Sequence, residues 1–136
     1  MRYVFILLLL MALSMSAAFR PTNYSELQMA ATAWCTGDRT TYPDIERWDV
    51  SLVTSFREIF YSKNGACVKF NANLSSWDTA KMTDMRGMFH EATAFNGDLS
   101  SWDTAKVTNM VAMFYGAIAF HGDLSSWDTG QVTDMS

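Results

Sequence analysis

Two histidines, two cysteines and no cluster of basic residues leave this chain short of the groups that most catalysis and nucleic-acid binding depend on. Its ten lysines and arginines stand singly, and the formal charge is −4. Gripping a phosphate backbone needs a basic stripe, so nucleic acid is not an expected partner. His90 and His121 occupy different positions of the sequence pattern described below, and neither has an acid or cysteine at a metal-ligand spacing. There is no Gly-x-Ser-x-Gly elbow, no glycine loop to cradle phosphate, and no second cysteine beside Cys35 or Cys67. The serine pairs 75–76 and 100–101 have no base to activate them. No enzyme activity, cofactor or metal is expected.

Long apolar runs are also scarce. The only one, 4–13, follows Met1 and Arg2 and precedes Ser14, Ser16, Ala17 and Ala18. A helix needs roughly 20 apolar residues to cross a bilayer, so this run is too short and 1–18 reads as a secretory signal peptide cleaved after Ala18. The nearest cysteine, Cys35, is too far from that point for lipidation. No second span follows, so the mature chain is expected outside the cell or at its surface. Removing Arg2 takes the charge from −4 to −5, too mild to imply polycation partners. In an oxidising compartment Cys35 and Cys67 are expected to form a disulfide.

What the sequence does have is a repeat. Leu-Ser-Ser-Trp-Asp-Thr stands at 74–79, 99–104 and 124–129, each copy 25 residues after the last. With Trp48 as a divergent first register, the tryptophans are spaced 29, 25 and 25 residues apart. The four extra residues fall between Phe60 and Phe70, because the matching intervals Phe89 to Phe95 and Phe114 to Phe120 are shorter by four. Cys67 lies in that insertion, so its bridge to Cys35 would staple the loop to the segment before the repeats. A period of this size marks a supersecondary unit that buries its apolar face only by stacking on its neighbours.

Met85, Met88, Phe89 and Ala92 have i, i+3, i+4, i+7 spacing, as do Met110, Met113, Phe114 and Ala117. The spacing predicts two to three turns of helix in each copy, with Thr83–Asp84 and Thr108–Asn109 as N-caps. The Ser/Thr/Trp-rich half is expected to form a short parallel strand or extended rung that places Leu74, Leu99 and Leu124 in one column and the tryptophans in the next. The fold class expected is therefore an α/β repeat, a leucine-rich-repeat-like solenoid of short strands or extended rungs alternating with short helices. Asp78, Asp103 and Asp128 suit Asx turns; one carboxylate per copy is a poor calcium site without further ligands. Asn96-Gly97 and His121-Gly122 supply turn chemistry after the phenylalanine column.

The pattern Trp-Asp-Thr-x-x-Val-Thr-x-Met-x-x-Met-Phe-x-x-Ala-x-x-Phe-Asn-x-Asp-Leu-Ser-x-Trp-Asp-Thr runs from Trp77, with Met82 in the Val position, and from Trp102, with His121 in the Asn position. It resembles the BspA-like surface-protein repeat, a family first grouped around mycoplasma lipoproteins of unknown function. The resemblance covers 45–136, and 24–34 is similar to the lead-in of such arrays. It implies a leucine-rich-repeat-like protein displayed at the surface or secreted, with roles in adhesion or protein binding and no catalytic residues to carry over. Phe56 departs from the pattern by standing in the first Met position.

The domain reading is a signal peptide (1–18), an N-terminal lead-in or cap (19–44) and about 3.5 repeats (45–136). The last copy stops after Met135, which implies either an incomplete gene product, the favoured reading, or an apolar end covered by another chain. Asn23 and Asn73 head Asn-x-Ser acceptors for glycosylation, should the host glycosylate exported proteins. Because the repeated apolar positions have packing duties, a binding face is expected at Ser76, Asp98, Ser101 and Asp103. The function expected is a non-enzymatic binding or adhesion module for an extracellular protein or glycan. The alternative is a structural envelope or wall component that self-associates through its open end.

Overall fold

Asn23 opens α1 (Tyr24–Cys35), the one α-helix among the described residues, by accepting the Glu26 N–H at 3.0 Å. The computed structural model describes residues 17–136, and all but the last two residues of the signal-peptide reading (1–18) lie outside the described residues. Glu26 reaches back to the Thr22 N–H at 2.8 Å, so donors on both sides of the cap are satisfied. At the other end Asp38 N–H donates to Ala33 O and Gly37 N–H to Trp34 O, with Gly37 at φ 104. This Schellman closure needs a left-handed residue after the cap, which glycine supplies. Leu27, Ala30 and Ala31 are the buried residues of α1, and Tyr24 Oη donates to Arg57 O in the first repeat at 2.9 Å.

After a 3-10 turn (Ile45–Arg47), the chain winds into rungs. Single-residue parallel bridges join Ser55 to Asp84, Asp84 to Asn109 and Asn109 to Asp134. They divide the array into rungs at 55–83, 84–108 and 109–133, with 134–136 beginning the next.

The expected α/β solenoid is not what forms. Among the described residues the repeats contain no α-helix, α1 standing before them, and no strand longer than an isolated bridge. The cause lies in the backbone of the predicted helices. Met85, Gly87, Phe89 and Glu91 send their N–H groups across to Asn109, Val111, Met113 and Tyr115 O, at 2.7 to 2.9 Å. The intervening Met88, His90 and Ala92 N–H groups close short turns on Met85, Gly87 and Phe89 O. An α-helix would spend all these donors within itself. Left-handed backbone at Gly87 (φ 58) and Glu91 (φ 59), and again at Ala112 and Gly116, breaks any helix every fourth residue. The apolar stripe still faces inward, with Met85, Met88, Phe89 and Ala92 fully buried, but it does so on a chain of turns.

The expected strand half is likewise turn. Trp77, Trp102 and Trp127 N–H donate to Leu74, Leu99 and Leu124 O three residues back. Thr83 and Thr108, expected as N-caps, form a ladder instead: N–H and hydroxyl of Thr83 donate to Thr54 O, those of Thr108 to Thr83 O, and those of Thr133 to Thr108 O.

The columns read from the repeat are present and bonded. Trp77 Nε1 donates to Ile45 O, Trp102 Nε1 to Leu74 O and Trp127 Nε1 to Leu99 O, all at 2.9 to 3.0 Å. Ile45 therefore begins the leucine column, a position its sequence context hides. Within rungs, Phe60 stacks on Phe70 and Phe89 on Phe95 with centroids 3.9 Å apart, and Phe114 on Phe120 at 4.2 Å. Between rungs the same rings stack at 5.7 to 5.8 Å. Gly97 has a reason beyond turn chemistry: a Cβ there would lie 2.9 Å from the Phe95 ring and from Ala72 O.

Cys35 and Cys67 are bonded across 32 residues, joining the last turn of α1 to the insertion. Trp34 packs edge-on against Phe70 at 5.6 Å, and Arg39 lies over the Trp34 ring at 3.4 Å. The bridge, the ring contact and the guanidinium hold the helix over the first rung.

Replacing both cysteines by serine is expected to lower unfolding free energy by about 3 to 4 kcal/mol on the chain-entropy account, measured by urea titration. Trp102→Phe removes the indole bond to Leu74 O, which keeps the Trp77 N–H, and should cost about 1 kcal/mol in the same assay. A loss no larger than that of an exposed substitution such as Lys106→Gln would refute the indole's bonding role.

Candidate functional site

Two surfaces remain once the packing residues are set aside: the polar side of the turns and the face exposed beyond the third rung. On the polar side, Asn73, Ser76, Asp98, Ser101 and Asp103 are all exposed. Their polar atoms are already engaged. Ser76 Oγ donates to Glu46 O, Ser101 Oγ to Ser75 O at 2.8 Å, and Ser126 Oγ extends the series to Ser100 O. Asp98 Oδ1 accepts both the N–H and the hydroxyl of Ser100, at 2.9 and 2.7 Å. Asp103 Oδ1 accepts Ala105 N–H, as Asp78 does Ala80 N–H and Asp128 does Gly130 N–H. These are Asx turns, with hydroxyls of one rung tied to carbonyls of the rung before.

The structure thus brings the predicted face into two registered columns, Asn73/Asp98/Asp123 and Asp78/Asp103/Asp128. What it leaves for a ligand is the outward part of each carboxylate. No group of three or more His, Cys, Asp or Glu residues positioned for a metal occurs among the described residues. Asn73 is exposed and accepts Ser75 N–H, while Asn23 is spent on the helix cap and donates from its amide to Thr22 Oγ1.

A third column escapes a reading based on the strongest repeats. Tyr61, His90 and Tyr115 pack with centroids 4.6 and 4.8 Å apart and ring planes tilted by 48° and 44° along the outside of the rungs. The available signal is the residue after each first phenylalanine, Tyr, His and Tyr in turn.

Beyond the third rung the apolar columns end in the open. Tyr115 is 66% exposed, Ile118 79% and Met135 63%, and Phe114, Leu124 and Trp127 line a shallow hollow of about 500 Å³. Their counterparts one rung earlier, Phe89, Leu99 and Trp102, are buried.

The family described as Mycoplasma protein of unknown function, DUF285, matches residues 14–136. The chain belongs to this family. No curated protein and no solved structure matches it. In this DUF285 member no helix among the described residues is long and apolar enough to cross a membrane.

The carboxylate columns give the DUF285 array a pH signature. The Ser100 N–H, then its hydroxyl, holds Asp98 below the ordinary aspartate range; Ser125 does the same for Asp123 and Ser136 for Asp134. For Asp49 the Ser51 hydroxyl leads and its N–H follows. Folding lowers these values, so the stability they contribute is complete above the unfolded value of about 3.9 and is lost as pH falls through the folded values. The urea midpoint should hold from neutral pH to about 5 and fall below about 4. Asp98→Asn, which can accept the Ser100 N–H as Asn73 accepts that of Ser75, should reduce the fall. A midpoint that is level through this range in the wild type would exclude the turn carboxylates as its source.

Proposed function

We propose that this protein is a secreted or cell-surface binding module of the BspA-like kind, non-enzymatic, which presents the polar side of its rungs to an extracellular protein or glycan. The observation that carries the reading is the registered exposure of Asn73/Asp98/Asp123 and Asp78/Asp103/Asp128 on a backbone locked by rung-to-rung hydrogen bonds. A ligand meeting such a side finds the same group again at each rung, so several weak contacts act together without ordering cost in the protein. The Cys35–Cys67 bridge agrees with an oxidising compartment. Asn73 and Asn23 are the positions where a glycosylating host would modify the chain.

The binding reading is tested by screening purified protein against immobilised matrix proteins and glycans. The comparison protein combines Asp98→Asn and Asp103→Asn, which keep the turns, with Ser76→Ala and Ser101→Ala. Retained cooperative melting with binding reduced about tenfold or more supports the face. Full binding by that variant would move the site elsewhere on the molecule.

A further inference from the structure

The peptide bonds that follow the lysines and arginines are held with very different firmness. Arg20 precedes a buried proline, and Arg47 and Lys69 precede the buried rings of Trp48 and Phe70. After Arg57 and Arg86 the next N–H lies in the ladder, Glu58 donating to Arg86 O and Gly87 to Val111 O. Lys81 and Lys106 precede the buried Met82 and Val107, whose N–H groups close turns on Thr79 and Thr104 O. Arg39 is exposed, but its guanidinium lies over the Trp34 ring and donates to Trp34 O, while Asp38 Oδ1 takes the N–H groups of Thr40 and Thr41. Lys63 is the exception. Lys63, Asn64 and Gly65 are all exposed, and a Cβ at Gly65 would meet nothing within 4 Å. Among the described residues, 63–67 exchange no hydrogen bond with another rung; their backbone closes only local turns, Gly65 N–H on Ser62 O and Val68 N–H on Gly65 O.

We propose that the Lys63–Asn64 bond is a processing site for an extracellular protease of trypsin-like specificity, and that its product is a two-chain protein which keeps the parent fold. Hydrolysis adds water across the amide. The hydroxyl goes to the Lys63 carbonyl carbon and a proton to the Asn64 nitrogen, leaving a new carboxylate and a new ammonium at the tip of the insertion. Exposed tips with small and polar residues are where nicking concentrates, and a loop held by its own turns opens locally at low cost. Only this corner carries the cation such a protease reads: the matching intervals 89–95 and 114–120 contain no lysine or arginine. Two features keep the halves together. The N-terminal piece remains in the ladder through Phe56, Glu58, Phe60 and Ser62 N–H, which donate to Asp84, Arg86, Met88 and His90 O at 2.8 to 3.1 Å, and its Ile45 O holds the Trp77 indole. Cys35 falls on one piece and Cys67 on the other, so the disulfide becomes a link between chains. Freeing α1 then takes two events, cutting and reduction. The site rests on the extracellular reading for its protease and not on the identity of any ligand; because the test uses purified protein, its failure is separate from failure of the binding screen.

The probe is trypsin, added in trace amount to the folded full chain. Within residues 17–136 the first cut should fall after Lys63, giving a new N-terminus that begins Asn64-Gly65-Ala66, about tenfold or more faster than at any other lysine or arginine. The product should run as one band in denaturing electrophoresis without reductant and as two bands with it, and it should still unfold cooperatively in urea. Lys63→Gln, an exposed substitution, should keep the wild-type urea midpoint and slow the first cut about tenfold or more. A first cut after Arg39 or within the ladder overturns the proposal, as does an unchanged cutting rate in Lys63→Gln. Separation of the two pieces without reductant, or loss of cooperative unfolding once the bond is cut, overturns it equally.

Discussion

A buried backbone N–H has to find an acceptor, and in this protein the acceptor is supplied by the neighbouring copy of the repeat. Met85, Gly87, Phe89 and Glu91 have no partner within their own turn and are satisfied only by carbonyls in the next rung. Leaving one buried donor unpaired costs about 1 to 3 kcal/mol, so a rung out of register would forfeit several such bonds at once. The equal 25-residue spacing is the covalent expression of that requirement. Every column of side chains follows from it, because fixing the backbone fixes where each tryptophan, phenylalanine and threonine falls.

Side chains reinforce the register in two ways. Indole and hydroxyl donors add a second bond to carbonyls that already accept a backbone N–H, at Ile45, Leu74 and Leu99 for tryptophan and at Thr54, Thr83 and Thr108 for threonine. The phenylalanines form two adjoining stacks in which each ring meets one neighbour within its rung and others above and below. Aromatic pairs contribute about 0.5 to 1.5 kcal/mol beyond the area they bury. A polar ladder and an apolar stack therefore impose the same translation, and an alternative alignment would break both together.

Much of this was legible in the sequence, but the local conformation was not. Equal spacing marked the Leu, Trp, Met and Phe columns and located the insertion, and the count of two cysteines with an expected oxidising compartment paired Cys35 with Cys67. The helix expected at Met85, Met88, Phe89 and Ala92 failed because inward-facing positions three and four residues apart suit a run of turns as well as a helix. Gly87 and Gly116 were the visible warnings, since left-handed backbone is cheap only for glycine. Glu58, Glu91 and Ala112 adopt the same conformation without that signal, held there by the bonds around them. At the candidate face, the residue types Ser76, Asp98, Ser101 and Asp103 announced a polar surface. That their hydroxyls and one carboxylate oxygen each were already committed depended on contacts between copies and on turn geometry, which spacing alone does not reveal.

The four residues inserted between Phe60 and Phe70 show where the architecture is elastic. Those rings stack at 3.9 Å, the same separation as Phe89 and Phe95, and the bridge from Ser55 to Asp84 is kept. The extra chain leaves the ladder intact, and Val68 O within it accepts the Ala94 N–H of the next rung. For a flexible loop, doubling the length adds only about 0.6 kcal/mol of closure cost, so this corner of each rung is a natural port for carrying foreign segments. Length and chemistry can diversify there while the frame that holds them stays constant, which separates the part of the molecule free to evolve from the part that keeps count.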